Sequence, residues 1–305
     1  MSMSVKNQKN IRGRFAPSPT GRMHLGNVYS ALISWLSAKG KGGEWLLRIE
    51  DIDPDRSHKS YAEQIMEDLQ WLGLEWDGVP VFQSDRNDIY QHYYDVLKQK
   101  RLTYPCYCSR NDILATQAPH ESDGRVVYKG TCRNKPLRPD VPAATRMKVP
   151  SKTVSFVDGH YGQQQVDLEK QVGDFIIRRK DGAWAYQLAV VVDDALMGIN
   201  EVVRGRDLLL SSPQQIYLFE QLGFAAPDYY HIPLLCNDSH LRLSKRDQSL
   251  DMGHLRKTYS SQEIIGRIAY YAGLISAFIP ISPNDLLHDF SWDKIPTEDI
   301  VVQNY

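Results

Sequence analysis

The segment Arg14-Phe-Ala-Pro-Ser-Pro-Thr-Gly21, closely followed by His24-Leu-Gly-Asn27, lies where a predicted strand meets a predicted helix. Backbone N–H groups at a helix N-terminus form a site for anions, and a glycine at position 26 lets a ligand approach the backbone. The imidazole of His24 can hydrogen-bond a phosphoryl group as charge builds up on it. This stretch predicts an α/β fold with a phosphate-binding turn after its first strand.

The chain around this segment alternates between strand and helix patterns. Strands are predicted over residues 11–16 and 44–50, and helices over 57–73 and 86–100. The helix after His24 is indicated by apolar residues at helical spacing, namely Val28, Ala31, Leu32, Trp35 and Leu36. This order favours a parallel sheet with crossover helices.

The later part of the chain continues the same alternation. The apolar run Gln187-Leu-Ala-Val-Val-Val192 predicts a strand, and residues 213–222 predict a helix. The last 60 or so residues are mostly helical in pattern. Between 104 and 149 the composition shifts to cysteines, prolines and short polar pieces, as in an inserted module.

The composition is that of a folded globular protein. The chain has 305 residues, 42% hydrophobic and 24% charged, with a formal net charge of −1. This balance excludes a uniformly basic surface for nucleic acids. The uncharged stretch near the C-terminus is broken by Pro280 and Pro283, so no membrane span is predicted, and residues 1–10 lack the apolar core of a secretory signal. We expect a cytoplasmic protein.

A second motif, Arg242-Leu-Ser-Lys245-Arg246, lies on a charged loop late in the chain. A mobile lysine there can stabilise a departing pyrophosphate, because phosphoryl transfer is catalysed mainly by positioning and electrostatics. Taken alone, each motif also fits a structural histidine or a solvated loop. Their joint occurrence, with the first at a strand–turn–helix junction, indicates a site that handles phosphate groups.

Four segments strongly resemble the glutamate branch of class I aminoacyl-tRNA synthetases. They are GRFAPSPTGRMHLGN (13–27), LLRIEDIDPDRS (46–57), VVRGRDLLLSSPQQIYLFEQLG (202–223) and LRLSKRD (241–247). The first matches the HIGH-type motif of that family and the last its KMSKS-type loop. The resemblance implies a Rossmann-like parallel sheet with an inserted zinc-containing module and a small helical C-terminal region.

The resemblance also implies an organisation along the chain. Residues 11–103 and 173–247 would form the two halves of the catalytic domain, and 104–172 the inserted module that contacts the acceptor. Residues 248–305 would form a helical region that contacts the tRNA stem. The chain runs only about 60 residues beyond the KMSKS-like loop, so we expect no anticodon-binding domain, which would need roughly 100 residues or more.

This shortened plan resembles the glutamyl-queuosine tRNA(Asp) synthetases. Members of that family activate glutamate with ATP, without tRNA, and attach it to the queuosine base of tRNA(Asp). Three rival readings remain: a truncated glutamyl-tRNA synthetase that charges tRNA(Glu), a catalytically silent paralogue that binds glutamate or tRNA, and a nucleotidylyltransferase. The intact His24, Gly26 and Lys245 weigh against a silent paralogue.

The site residues implied by the resemblance fall into two groups. Selecting glutamate needs an arginine fork for a carboxylate and a carboxylate for the ammonium group. The glutamate-binding positions are Arg14, Phe15, Ala16, Pro17, Ser18, Glu50, Tyr186 and Arg204. The ATP-binding positions are His24, Gly26, Asn27, Ser244 and Lys245, with His24 and Lys245 as the catalytic residues and Mg²⁺ accompanying ATP.

Several of these positions have alternative readings. Arg204 could instead form a salt bridge with Asp193 or Asp194. Asp51 and Asp53 are expected to order their loop rather than to react. Asn27 stands in place of the second His of the best-known HIGH motif, and Arg242 and Leu243 replace the Lys and Met of the KMSKS motif.

The cysteines predict a metal site. Three of the four, Cys106, Cys108 and Cys132, cluster in sequence, which points either to a metal site or to a buried unmetallated thiol cluster. The resemblance implies one structural Zn²⁺ per chain, with Tyr128 as the fourth ligand. His120 is an alternative fourth ligand, and the remaining cysteine, Cys236, is expected to be a core thiol.

The expected partners are ATP, L-glutamate and tRNA(Asp) bearing queuosine, and we expect a monomer. Basic clusters at 98–101, 133–138 and 178–180 are candidates for contact with the RNA, although each also fits an ordinary solvated face.

Overall fold

The computed structural model of the chain describes residues 10–109, 127–239, 243 and 250–302. The predicted site residues Ser244 and Lys245, and the alternative zinc ligand His120, lie outside this range. The helices are α1 Leu25–Lys39, α2 Lys59–Trp71, α3 Asn87–Gln99, α4 Tyr186–Leu196, α5 Ser212–Leu222, α6 Met252–Thr258, α7 Ser261–Tyr271 and α8 Pro283–Leu286, with short 3₁₀ segments at Gln83–Arg86, Arg206–Ser211 and Trp292–Lys294 and a π-helical turn at Leu168–Val172.

The strands form four sheets. Their bounds are β1 Arg12–Phe15, β2 Glu44–Ile49, β3 Val81–Phe82, β4 Thr103–Cys106, β5 Ala144–Met147, β6 Thr153–Asp158, β7 Gly162–Asp167, β8 Phe175–Arg178, β9 Glu201–Gly205, β10 Asp228–Ile232, β11 Leu235–Cys236 and β12 Ile300–Val301.

The first half of the fold follows the predicted strand–helix order. Strand β2 lies in parallel between β1 and β3, and α1 connects β1 to β2 while α2 connects β2 to β3. Eleven of the fifteen residues of α1 are buried, since the helix carries apolar side chains on several faces and packs against β1, β2 and the C-terminal helices. The predicted strands over 11–16 and 44–50 and the helices that follow them are confirmed.

The second half continues beside β1. Strands β9 and β10 are parallel and are connected by α5. The backbone N–H of Asn200, just before β9, donates to the carbonyl oxygen of Arg12 over 3.0 Å, which brings β9 alongside β1. Strand β6 pairs in parallel with β10 at Asp158 and Tyr229, and β7 folds back on β6. The hairpin of β6 and β7 therefore extends the sheet of β9 and β10, although it lies within the segment expected to form the inserted module.

The expected strand over Gln187–Val192 is wrong: these residues lie in helix α4. The side chains of 188–192 are all buried, so no polar face interrupts the apolar run. A short, wholly apolar segment looks the same in a buried helix and a buried strand. The packing of this segment explains its conformation. Helix α4 lies between α3, α5 and β8, and its buried side chains join an apolar core with theirs.

The C-terminal segment is not helical throughout. Helices α6 and α7 are present as expected, but Ile300–Val301 form β12, which pairs in parallel with β11. Apolar residues of this segment join the core beneath α1 and β2. The last described residues therefore return to the edge of the main fold.

Candidate active site

A cleft of about 460 Å³ opens at the carboxyl ends of β1, β2 and β9. This is the edge at which open parallel sheets bind ligands. Every predicted glutamate- or ATP-binding residue within the described ranges lines it. These are Arg14, Phe15, Ala16, Pro17, Ser18, His24, Gly26, Asn27, Glu50, Tyr186 and Arg204.

Hydrogen bonds fix His24 at the start of α1. Its Nδ1 accepts from the backbone N–H of Gly26 over 3.1 Å, and its backbone N–H donates to Oδ1 of Asn27 over 3.0 Å. This reciprocal pair is a capping box. Because Nδ1 is an acceptor, the neutral ring carries its proton on Nε2, where it can donate to an anion.

The glycine at position 26 has a role that the sequence did not reveal. A Cβ added there would come within 2.9 Å of Cε1 in the His24 ring. Gly26 therefore makes room for the imidazole itself, in addition to any ligand that approaches the helix N-terminus.

Arg14 is shared between a buried carboxylate and the cleft. Its Nε lies 3.3 Å from Oδ1 of Asp194, which also accepts from Arg48 over 2.6 Å. Arg48 is fully buried and donates in addition to Oε1 of Glu50 over 3.1 Å. Within the described residues, neither Nη atom of Arg14 makes a hydrogen bond, so its fork remains available to an anion in the cleft.

The charges in this cluster are unevenly stabilised. Burial raises the pKa of Glu50, against the lowering effect of Arg48 and Arg14. Burial also acts to raise the pKa of Asp194, but Arg48 and then Arg14 hold it below its usual value. Asp194 is therefore ionised, whereas a cation bound beside Glu50 would stabilise the ionised form of its carboxyl group.

Arg204 is held by neutral groups. Its Nε donates to Nε2 of His231 over 3.1 Å, its Nη1 to Gln215 over 2.8 Å and its Nη2 to Ser212 over 2.8 Å. The alternative interpretation of Arg204, a salt bridge to Asp193 or Asp194, is wrong: neither contact is present among the described residues. The reason is that both carboxylates already have arginine partners on other elements.

Asp193 has its hydrogen-bond partners on the 3₁₀ segment before α3 and on α3 itself. It accepts from Arg86 over 2.6 Å, Gln83 over 2.7 Å and the phenol of Tyr90 over 2.8 Å. Together Asp193 and Asp194 fasten α4, which begins with the cleft residue Tyr186, to β1, β2 and α3. The sequence shows the two adjacent aspartates, but it does not show their partners, which lie more than 100 residues away.

Two further predictions concern residues near the cleft. Asp51 accepts from the backbone N–H of Ser84 over 2.8 Å, and Asp53 accepts from Arg179 over 2.7 Å, so both order the loop after β2 as expected. Leu243, which stands in place of the Met of the KMSKS motif, is buried in the cleft wall, and its N–H donates to Leu235.

The predicted metal ligands converge in a separate small core. The sulfur atoms of Cys106, Cys108 and Cys132 all lie within 4.8 Å of one another. The Tyr128 oxygen is 3.4 Å from the sulfur atoms of both Cys106 and Cys108. In a tetrahedral zinc site neighbouring thiolates stand about 3.8 Å apart, so these four side chains fit Zn²⁺.

The chemistry of this cluster agrees with its geometry. Burial opposes ionisation of Cys132, but hydrogen bonds from Tyr128 and other neighbours lower its pKa to about 7. Burial raises the pKa of Cys108 and of Tyr128, so these two ligands would ionise only with a bound cation beside them. The fourth cysteine, Cys236, is buried next to the cleft wall, far from this cluster, as expected.

Asp174 ties the cluster to the antiparallel sheet of β4, β5 and β8. It accepts from Arg133 through both oxygens and from the phenol of Tyr104 over 2.5 Å. The guanidinium of Arg146 lies 3.8 Å from the ring centre of Tyr128. No motif pointed to Asp174, which acts only through contacts between distant segments.

The basic clusters considered for RNA contact are partly engaged within the protein. Arg133 pairs with Asp174, Arg178 lies over the ring of Trp184, and Arg179 pairs with Asp53. Among the helices of the described ranges, none is both long enough and apolar enough to traverse a bilayer.

Known proteins match the chain over most of its length. The family model for the catalytic domain of class I tRNA synthetases (E and Q) matches residues 10–270. A glutamyl-Q tRNA(Asp) synthetase from Nitratidesulfovibrio vulgaris is 44% identical over 95% of each chain. A protein of the same name from Symbiobacterium thermophilum is 41% identical over 94% of each chain.

Solved structures agree with these sequence relatives. A glutamate tRNA ligase from Elizabethkingia meningosepticum, in complex with its amino acid, matches with a TM-score of 0.81 at 27% identity, covering 96% of this chain and 67% of that one. A glutamate-tRNA synthetase from Elizabethkingia anophelis gives 0.82 at 26% identity, covering 97% and 68%. With its cleft at the expected sheet edge, the chain belongs to the glutamyl-Q tRNA(Asp) synthetase family of class I tRNA synthetases and is a ligase.

Proposed function

We propose that this chain activates L-glutamate with ATP, without tRNA, and transfers the glutamyl group to the queuosine base of tRNA(Asp). The observation that carries the first step is that Arg14 and Glu50 line the same cleft, beside the N-terminus of α1. Within the described residues, both Nη groups of Arg14 are available to a carboxylate of the substrate. Burial raises the pKa of Glu50, so a bound cation would stabilise its ionised form.

These residues match the three charges of glutamate. The guanidinium groups of Arg14 and Arg204 bind its carboxylates, and the Glu50 carboxylate binds its ammonium group. Phe15, Ala16, Pro17 and Ser18 shape the wall between them. Burial raises the pKa of Tyr186, so its phenol stays protonated and can donate to the substrate.

His24, Gly26 and Asn27 form the ATP side of the cleft, at the N-terminus of α1. His24 donates from Nε2 to the phosphates, and the helix N-terminus adds a favourable partial charge. Ser244 and Lys245 complete this side in our proposal, with the lysine stabilising the charge on the departing pyrophosphate. Mg²⁺ bound with ATP would neutralise part of the phosphate charge.

The reaction needs no covalent intermediate on the enzyme. A carboxylate oxygen of glutamate forms a bond to the α-phosphorus of ATP, and the bond to the β-phosphate oxygen breaks to release pyrophosphate. A hydroxyl of the queuosine cyclopentenediol then attacks the acyl carbon of the adenylate. AMP leaves, and the hydroxyl proton passes to solvent.

The acceptor and the remaining assignments are proposals as well. The names of the relatives, which span nearly the same length, support queuosine on tRNA(Asp) as the acceptor. We propose that 11–103 and 173–247 form most of the catalytic domain, to whose sheet the hairpin of β6 and β7 adds, that the rest of 104–172 contacts the acceptor and that 248–305 contacts the stem. We also propose that Cys106, Cys108, Tyr128 and Cys132 hold one structural Zn²⁺, and that the protein acts as a cytoplasmic monomer.

The first test is ATP–pyrophosphate exchange with L-glutamate in the absence of tRNA. We expect exchange with L-glutamate and little with L-glutamine or L-aspartate, which lack the second carboxylate or the spacing between the two. Exchange only after tRNA(Glu) is added would favour a truncated tRNA(Glu)-charging enzyme. No exchange under either condition, from folded and zinc-replete protein, would favour a silent paralogue.

The second test addresses the acceptor. Radiolabelled glutamate is supplied with ATP and either queuosine-bearing tRNA(Asp), unmodified tRNA(Asp) or tRNA(Glu). We expect label only on the modified tRNA(Asp), and we expect it to persist when the 3′-terminal adenosine is removed before the reaction. Label on tRNA(Glu) would reject the queuosine proposal while leaving glutamate activation intact.

A further inference from the structure

A buried hydrogen-bonded chain runs behind Arg204. Asp158, the last residue of β6, accepts from Nδ1 of His231 on β10 over 2.5 Å. The backbone N–H groups of His231 and Tyr161 donate to its other oxygen over 3.2 and 2.9 Å. Asp158 and His231 are both almost completely buried. Neither was singled out by a sequence motif.

The contact with Arg204 fixes the tautomer of His231. A guanidinium group can only donate, so Nε2 of His231 must accept from Nε of Arg204 over 3.1 Å. The proton of the neutral ring therefore lies on Nδ1 and is donated to Asp158. Ser212 approaches the same Nε2 within 3.3 Å.

The strand register explains why these groups meet. His231 lies directly opposite Arg204 in the parallel pair of β9 and β10, and β6 lies on the other side of β10. The three side chains therefore form a row across adjacent strands, from Asp158 through His231 to Arg204. The row ends at the cleft, which Arg204 lines.

We infer that His231, held by Asp158, is a positioning residue that aims the guanidinium group of Arg204 at the carboxylate of the substrate. The inference rests on the proposed function, in which Arg204 binds L-glutamate. His231 fixes Nε and Gln215 occupies one N–H on Nη1, while Ser212 and the carbonyl oxygen of Leu208 occupy the two N–H groups on Nη2. Within the described residues this leaves an N–H on Nη1 for a ligand.

Two amide variants distinguish the roles of the two ring nitrogens of His231. His231→Asn keeps a donor near the position of Nδ1 for Asp158 but removes the acceptor for Arg204. His231→Gln keeps an acceptor near the position of Nε2 for Arg204 but removes the donor to Asp158. Exposed His92 on α3 provides a matched control, His92→Asn, away from the cleft.

The measurement is the KM for glutamate and for ATP in ATP–pyrophosphate exchange. For His231→Asn we expect the glutamate KM to rise about tenfold, the loss expected for one hydrogen bond to a charged group, with the ATP KM unchanged. His231→Gln should restore most of the glutamate affinity and show the lower melting temperature. Equal effects of both variants, or a loss confined to kcat, would overturn the inference.

A pH profile adds an independent readout. Asp158, Arg204, Asp207 and the ring of Tyr229 are the charged and titratable groups around His231. Burial lowers the pKa of His231, so the ring is neutral near pH 7 and protonates only below its usual range. Protonation turns Nε2 into a donor facing Arg204, so the wild-type glutamate KM should rise as the pH falls.

The profile of His231→Gln should be flatter than that of the wild type over the same range, and Glu50, present in both, cancels in the comparison. Parallel profiles would contradict the inference. If the wild type shows no glutamate-dependent exchange and no glutamate binding by calorimetry, the proposed function and this inference fall together. An active wild type with indistinguishable variants rejects the inference alone.

Discussion

Arg14 connects the buried charge network to the cleft through a single guanidinium group. Its Nε faces Asp194, whereas its two Nη atoms make no hydrogen bond within the described residues. Asp194 also has Arg48 as a partner, so it does not lose its charge compensation when Arg14 is replaced. A substitution at Arg14 should therefore affect substrate binding more than folding.

We expect Arg14→Lys to lower kcat/KM for glutamate about 100-fold, because lysine keeps the charge but loses the planar fork. The ATP KM should stay within about twofold, since in our proposal the phosphates bind at the N-terminus of α1. The measurement is ATP–pyrophosphate exchange. Arg12→Lys is the control, because Arg12 lies on the same strand and pairs with Glu44 outside the cleft. Equal losses in the two variants would contradict the role of Arg14.

Gly26 allows a second test at the scale of one residue. Gly26→Ala should favour the helix, because alanine has the higher helix propensity by about 1 kcal/mol. It should also displace the His24 ring, which lies within 2.9 Å of the added Cβ. We expect little change in the melting temperature, because loss of the His24 cap offsets the gain in helix propensity, and at least about a tenfold loss of kcat. A variant that loses stability and activity in parallel would argue against this role.

At the scale of elements, the return of the chain at β12 supports one wall of the cleft. Asp299, just before β12, accepts from Arg206 over 2.6 and 2.5 Å and from the N–H of Leu234 over 2.8 Å. Leu234 and Leu235 line the cleft, and Leu235 opens β11. The C-terminal segment therefore positions the chain that leads into the KMSKS-like loop.

We expect Asp299→Asn to lower the melting temperature slightly, because the Asp299–Arg206 pair is partly exposed and such pairs contribute about 1 kcal/mol or less. We expect a larger relative effect on kcat, roughly three- to tenfold, since the cleft wall before the loop loses a fixed contact. Asp293→Asn, also near the C-terminus, is the control. A normal kcat for Asp299→Asn would show that β11 holds its place without this contact.

At the scale of the whole molecule, the cysteine cluster is separated from the cleft. Tyr104, Cys106, Tyr128 and Cys132 form their own small core, whereas the two larger cores are built from other residues. Loss of a metal from this cluster should therefore unfold the region around it and leave the cleft largely intact. Activation and transfer should respond differently.

We expect about one zinc per chain by elemental analysis, and less in Cys108→Ser. Chelation or this substitution should lower the melting temperature, since binding a structural metal stabilises the folded state. ATP–pyrophosphate exchange should persist while transfer to tRNA falls. Cys236→Ser, a buried cysteine away from the cluster, should keep its zinc. A zinc-free wild type would reject the metal proposal, and equal loss of both activities would reject the separation.

The sequence by itself determined the parallel start of the sheet and the cleft residues that follow its first strand. These features are local, because a strand, a turn, a capping histidine and a helix follow one another between residues 12 and 39. The three cysteines were likewise visible as a cluster in the sequence, and Tyr128 was implied by the family resemblance; the structure brings these four side chains together.

Only the tertiary structure decided which buried charges pair and what the apolar run in α4 becomes. Arg48 meets Asp194 across 146 residues, and His231 meets Asp158 across 73. A buried charge is stable only with a partner, but the sequence shows the charge without the strand order that supplies that partner. The run at 187–192 likewise became a helix because of the elements that enclose it, since its residues are apolar on every side.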